Sequence, residues 1–85
     1  MQILRFEFNL FGENTYVLYD EMSLEAAVVD PGMSDAIEVS QLTKYMEDHS
    51  LHLKYILLTH GHIDHTFGIE ALKAAYPDVP VIGHR

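Results

Sequence analysis

The order of hydrophobic periodicities along the chain predicts an α/β fold with elements in the order βββαβαβ. Three observations carry this: period-two alternation near the amino terminus, a capped helical stretch after an Asp-Pro-Gly stop, and a short wholly apolar run ahead of a second helical stretch. Helical crossovers that feed new strands build a mixed sheet with helices packed on a face.

Leu4, Phe6 and Phe8 alternate with Arg5, Glu7 and Asn9, the pattern of a half-buried strand, and Gly12, Glu13 and Asn14 make the turn that follows. Residues 15–19 and 26–29 are β-rich runs separated by the polar stretch 20–25, which completes three antiparallel strands. Asp30-Pro31-Gly32 stops the third strand, because proline fixes φ and lacks a donor while glycine permits positive φ. Ser34 or Asp35 caps a helix that runs to about Asp48, with Glu38 as the capping-box partner of Asp35 and with Val39, Leu42, Met46 and His49 on one face. The apolar run 55–58, bounded by Lys54 and Thr59, suits an inner strand covered on both sides. A second helix over about 66–76 buries Ile69, Leu72 and Tyr76 and stops at Pro77; residues 79–83 form one more short strand.

A chain of 85 residues is one domain or part of one, here 1–85 as a single partial domain, and it has no internal repeat. With 48% hydrophobic and 21% charged residues it is globular, not disordered. The net charge of -8 is the wrong sign for gripping a phosphate backbone, so nucleic acid is not an expected partner. No apolar run approaches the ~20 residues of a membrane span and no signal peptide follows Met1, so a cytoplasmic location is expected. Without cysteine, any metal must be held by His, Asp and Glu.

The stretch Thr59-His60-Gly61-His62-Ile63-Asp64-His65 puts four candidate ligands between a buried strand and a helix. Ligands collect at the carboxyl ends of strands in α/β sheets, and Gly61 lets the backbone turn tightly. In an extended chain His60 and His62 share a side, while Asp64 and His65 follow as the chain bends. Imidazoles and a carboxylate without thiolate suit zinc, with iron, manganese or nickel as alternatives. The competing reading is a polar, solvated histidine-rich turn. His49, His52 and His84 read as structural or solvent-exposed, His49 late in a helix and His52 in a connection. Asp30 has two readings: a turn-forming acid that accepts backbone hydrogen bonds, or a group that orients a ligating histidine. Asn14, Thr15 and Tyr16 open a strand and receive no chemistry.

The run 59–65 resembles the T-H-x-H-x-D-H signature of the metallo-β-lactamase superfamily, and Asp30-Pro31-Gly32 resembles the aspartate-bearing strand end that precedes it there. Within that superfamily the chain is most similar to the glyoxalase II-like hydroxyacylglutathione hydrolases, through its opening strands, Asn14-Thr15-Tyr16 and the block 59–68. The resemblance implies the first half of an αββα sandwich with a two-metal site at a sheet edge. It implies that His60 and His62 bind one ion, Asp64 and His65 the second, and that Asp30 supports them. Water activated between the two ions would attack a substrate carbonyl, with Asp64 orienting that water or accepting its proton. The family's remaining ligands lie beyond the equivalent of Arg85, so the chain is expected to be an amino-terminal portion.

The function expected is therefore a zinc-dependent thioesterase of the hydroxyacylglutathione hydrolase type, acting on a small thioester. The alternatives are an iron persulfide dioxygenase that reuses these histidines, and a non-catalytic metal-binding or interaction module. The 85-residue chain alone is expected to be inactive, to bind metal weakly and to self-associate through its last strand edge or unfold, since so short a core leaves little surplus stability.

Overall fold

The computed structural model describes residues 1–8, 13–59 and 67–83. These form β1 (Gln2–Phe8), β2 (Glu13–Tyr19), β3 (Glu25–Val29), α1 (Ala36–Asp48), β4 (His52–Leu58), α2 (Phe67–Ala75) and β5 (Val81–Gly83). The predicted order βββαβαβ is borne out. The strands make one sheet in sequence order, antiparallel from β1 to β3 and parallel from β3 to β5, with a helix in each parallel connection.

Alternation sets the two faces. Leu4, Val17 and Val28 lie in register across β1 to β3, and Ile56 continues the row on β4. Leu42 and Met46 of α1 and Leu72 of α2 close over this row, and all of them except the half-buried Leu4 are sealed from solvent. The opposite face carries Ile3, Leu18, Ala27 and Tyr55 in one row and Leu57 with Ile82 in the next. There Ile3, Tyr55 and Ile82 are 66%, 49% and 49% exposed. The run 55–58 is thus an inner strand by pairing, and among the described residues only its Ile56 face is covered.

β4 also starts earlier than predicted, and His52 is its first residue rather than part of a connection. A register shift against β3 between Ala26 and Ala27 accommodates Lys54, so that both Leu53 and Ile56 reach the core. β2 takes in Glu13 and Asn14, residues of the predicted turn, and β5 begins at Val81, two residues later than predicted.

Helix α1 is capped as its sequence demands. Asp35 accepts the Glu38 N–H at 2.9 Å, while the Glu38 carboxylate reaches back to the N–H and hydroxyl of Ser34 at 2.8 and 3.0 Å. The box therefore closes on Ser34, one residue outside the cap. At the other end Ser50 N–H donates to Glu47 O and Leu51 N–H to Met46 O, a Schellman arrangement with Ser50 at φ 55°. The β2–β3 turn is held by Asp20, whose carboxylate accepts the N–H groups of Met22 and Ser23; those bonds keep its pKa below the ordinary carboxylate value.

Candidate metal centre

The parallel pair β3 and β4 ends where the chemistry was predicted. Asp30 follows β3 directly and adopts φ 52°, a left-handed backbone that an aspartate tolerates better than most residues. Its N–H still bonds Leu57 O of β4 at 2.8 Å, so the turn begins from a paired strand. The turned backbone directs the carboxylate across to the end of β4. There Oδ1 accepts the Thr59 N–H at 2.8 Å and Oδ2 accepts the Thr59 hydroxyl. Charge-assisted bonds of this kind are about twice as strong as neutral ones. Asp30 thereby fixes the residue immediately before His60.

The far side of the same loop holds α2. A Cβ built on Gly68 would sit 2.6 Å from Pro31 O and 3.2 Å from Met33 N, so the first turn of α2 rests directly on the loop backbone. Pro31 and Met33 are buried beneath it. One short loop after β3 thus grips the chain both before and after residues 60–66. The loop is itself tied to β2 through Thr15, whose hydroxyl donates to Asp30 O at 2.9 Å and accepts the Gly32 N–H at 2.8 Å.

His60, His62, Asp64 and His65 lie outside the described residues, as does His84. Among the described residues no three His, Asp or Glu side chains come together as a metal-holding group. His49 forms the C-cap of α1, with its ring stacked on Tyr45 at 4.0 Å between centroids and its Nδ1 3.0 Å from Tyr45 O. His52 is exposed at the start of β4, at the opposite end of the strands from Thr59. The Asp30 carboxylate accepts a backbone N–H as a turn-forming acid would, but from Thr59, 29 residues along the chain.

Sequence reasoning missed two residues that shape this end of the sheet. A threonine in a strand is unremarked by default, since its β-branch is what strands favour. Drawing the β2–β3 register, whose last pair is Tyr16 with Val29, would have set Thr15 opposite Asp30. Gly68 carried a clearer signal, because glycine inside a helix costs about 1 kcal/mol relative to alanine and its presence there marks a close approach.

Comparisons with known proteins bear on the family and the fold. The model of the metallo-beta-lactamase superfamily matches residues 9–85. The hydroxyacylglutathione hydrolase of Pelagibacter ubique (strain HTCC1062) is 41% identical over 71 residues, 84% of this chain and 27% of that protein. The cytoplasmic hydroxyacylglutathione hydrolase of Arabidopsis thaliana is 36% identical over 69 residues, 81% of this chain and 25% of that protein. Among solved structures, the BLEG-1 B3 metallo-beta-lactamase superposes with TM-score 0.77 at 29% identity, over 94% of this chain and 35% of that one. ETHE1 from Myxococcus xanthus gives TM-score 0.75 at 26% identity, over 99% of this chain and 36% of that one. The chain spans about a quarter of the length of the curated relatives it matches.

Proposed function

The chain belongs to the metallo-β-lactamase superfamily, and from that premise we propose that the whole protein is a metal-dependent hydrolase of small thioesters of the hydroxyacylglutathione type. The curated relatives named as hydroxyacylglutathione hydrolases support the substrate class. The observation that carries the reading is the clamp of Asp30 on Thr59, because it anchors the first residue of the T-H-x-H-x-D-H run at the carboxyl end of the parallel strands.

The donor set fits a transition metal. Three imidazoles and one carboxylate, in a chain without cysteine, are ligands for zinc, with iron or manganese able to use the same atoms. His60 and His62 would hold one ion, and Asp64 and His65 a second. A divalent ion there supplies Lewis acidity at a carbonyl and makes water acidic enough to ionise near neutrality. Asp64 orients the attacking water or takes its proton. Asp30 holds Thr59, the residue through which the chain enters the ligand run.

In this reading the 85 residues are the amino-terminal part of the catalytic domain, and the rest of the protein completes the ligand set and covers the open sheet face of Ile3, Tyr55 and Ile82. No described helix is long and apolar enough to cross a membrane. A cytoplasmic location follows the Arabidopsis relative.

Elemental analysis of the protein and of its His60→Ala, His62→Ala double variant tests the site. Loss of bound metal in the variant is expected, and unchanged stoichiometry rejects the ligand assignment. A substrate panel on the metal-loaded protein should show thioesters turning over faster than β-lactams or phosphodiesters. Inert thioesters reject the substrate class, and iron in place of zinc favours the dioxygenase alternative.

A further inference from the structure

Thr15 is the one buried polar side chain among the described residues, with no exposed surface. A hydroxyl sealed inside a sheet is costly unless its hydrogen-bonding capacity is used. Here its donor serves Asp30 O and a lone pair serves the Gly32 N–H. These bonds lie just past the last backbone pair of β2 with β3, Tyr16 with Val29. The ladder stops where Asp30 turns left-handed, and the Thr15 side chain takes over the pairing that the turned backbone has given up.

We infer that Thr15 is a positioning residue for the ligand run: its hydroxyl holds the Asp30 turn, and the Asp30 carboxylate so placed holds Thr59 at the entrance to His60. The path runs through three elements, from β2 to the loop after β3 to the end of β4, and each link is a hydrogen bond of 2.9 Å or less. The Asp30 carboxylate reaches out of its own turn to Thr59, and the Thr15 hydroxyl ties that turn to β2. The inference rests on the metal-site reading above for its functional meaning, but its structural half can be read without metal.

The experiment compares the whole wild-type protein with its Thr15→Val variant, which keeps the β-branched shape and removes the hydroxyl, and with Thr15→Ser, which keeps the hydroxyl and removes a methyl. Amide hydrogen exchange is followed at Gly32, Thr59, Leu42 and Met46 in metal-free protein, and zinc affinity by competition with a chelating dye. With two hydrogen bonds removed, Thr15→Val should lose protection at Gly32 and Thr59 and bind zinc more weakly, each by roughly tenfold or more, with Leu42 and Met46 unchanged. Thr15→Ser should stay within about threefold of wild type in both readouts. Wild-type protection of Thr59 in Thr15→Val overturns the inference whether or not zinc binds. So does a uniform loss of protection that includes Leu42 and Met46, or a failure of serine to rescue, since either reduces Thr15 to a core residue. A whole wild-type protein that takes up no zinc rejects the metal-site reading separately, while the Thr59 amide still reports on the Thr15 relay.

Discussion

At the amino-terminal ends of β3 and β4, Leu24 and Ser50 hold left-handed backbones at φ 63° and 55°; at the carboxyl end of β3, Asp30 holds one at 52°. The backbone conformations are alike and the side chains are used differently. Ser50 ends α1 through its main chain alone, with its N–H on Glu47 O and the next N–H on Met46 O. Leu24 likewise offers its carbonyl to His52 N–H at 2.8 Å and so sets the start of β4 against β3. Asp30 uses both: its backbone turns, and its carboxylate then spans to Thr59. A left-handed non-glycine residue costs roughly 1–2 kcal/mol. At the helix end that cost supports only a turn that glycine would make more readily, whereas at the strand end it aims a charged group at the ligand run.

Substituting glycine at each place separates the two cases. Asp30→Gly relieves the backbone but deletes the carboxylate, and losing charge-assisted bonds worth about 1.5–3 kcal/mol outweighs the relief. The expected outcome is a net destabilisation of roughly 1–2 kcal/mol in urea unfolding, together with a fall in metal affinity of about tenfold or more. Stability equal to wild type with metal affinity unchanged would show that the Thr59 clamp contributes nothing. Ser50→Gly should act in the opposite direction, stabilising by about 1 kcal/mol with metal affinity untouched, since glycine is the preferred residue at that position of a Schellman end. A loss of stability there would mean that the Ser50 side chain does more than the main-chain bonds show.

The smallest effect expected lies at the Ser50 end and is visible only in alkali. Tyr45 hydrogen-bonds Tyr19 through the two hydroxyls at 3.4 Å, and this bond together with burial pushes its pKa up to about 12. The folded form therefore keeps its proton where the unfolded tyrosine, near pH 10, has lost it. The resulting stability is complete below pH 10 and is lost as the pH rises through 12. Tyr45→Phe should flatten the decline of stability between pH 10 and 12 while changing little at pH 7, and thermal melts across that range provide the check. Tyr76, raised by burial and by the charge of Glu47, keeps part of the slope in the variant.

Local sequence determined more of this chain than its length would suggest. Alternation in Leu4, Phe6 and Phe8, the Asp35 cap with Glu38, and the Asp-Pro-Gly stop each act within a few residues, so the order βββαβαβ was legible. The T-H-x-H-x-D-H run was legible for the same reason, as a cluster of donors close together in the chain. What the sequence did not disclose depends on residues far apart. The shift at Lys54 answers to the register of β3 rather than to any period in β4, and the exposure of Tyr55 depends on which sheet face the helices cover. The Asp30–Thr59 clamp joins residues 29 apart, and the Thr15 bonds to the loop join residues 15 and 17 apart. A threonine hydroxyl or an aspartate carboxylate takes whichever partner the folded sheet brings within about 3 Å. Only the parallel pairing of β3 with β4 and the antiparallel pairing of β2 with β3 decided what those partners would be.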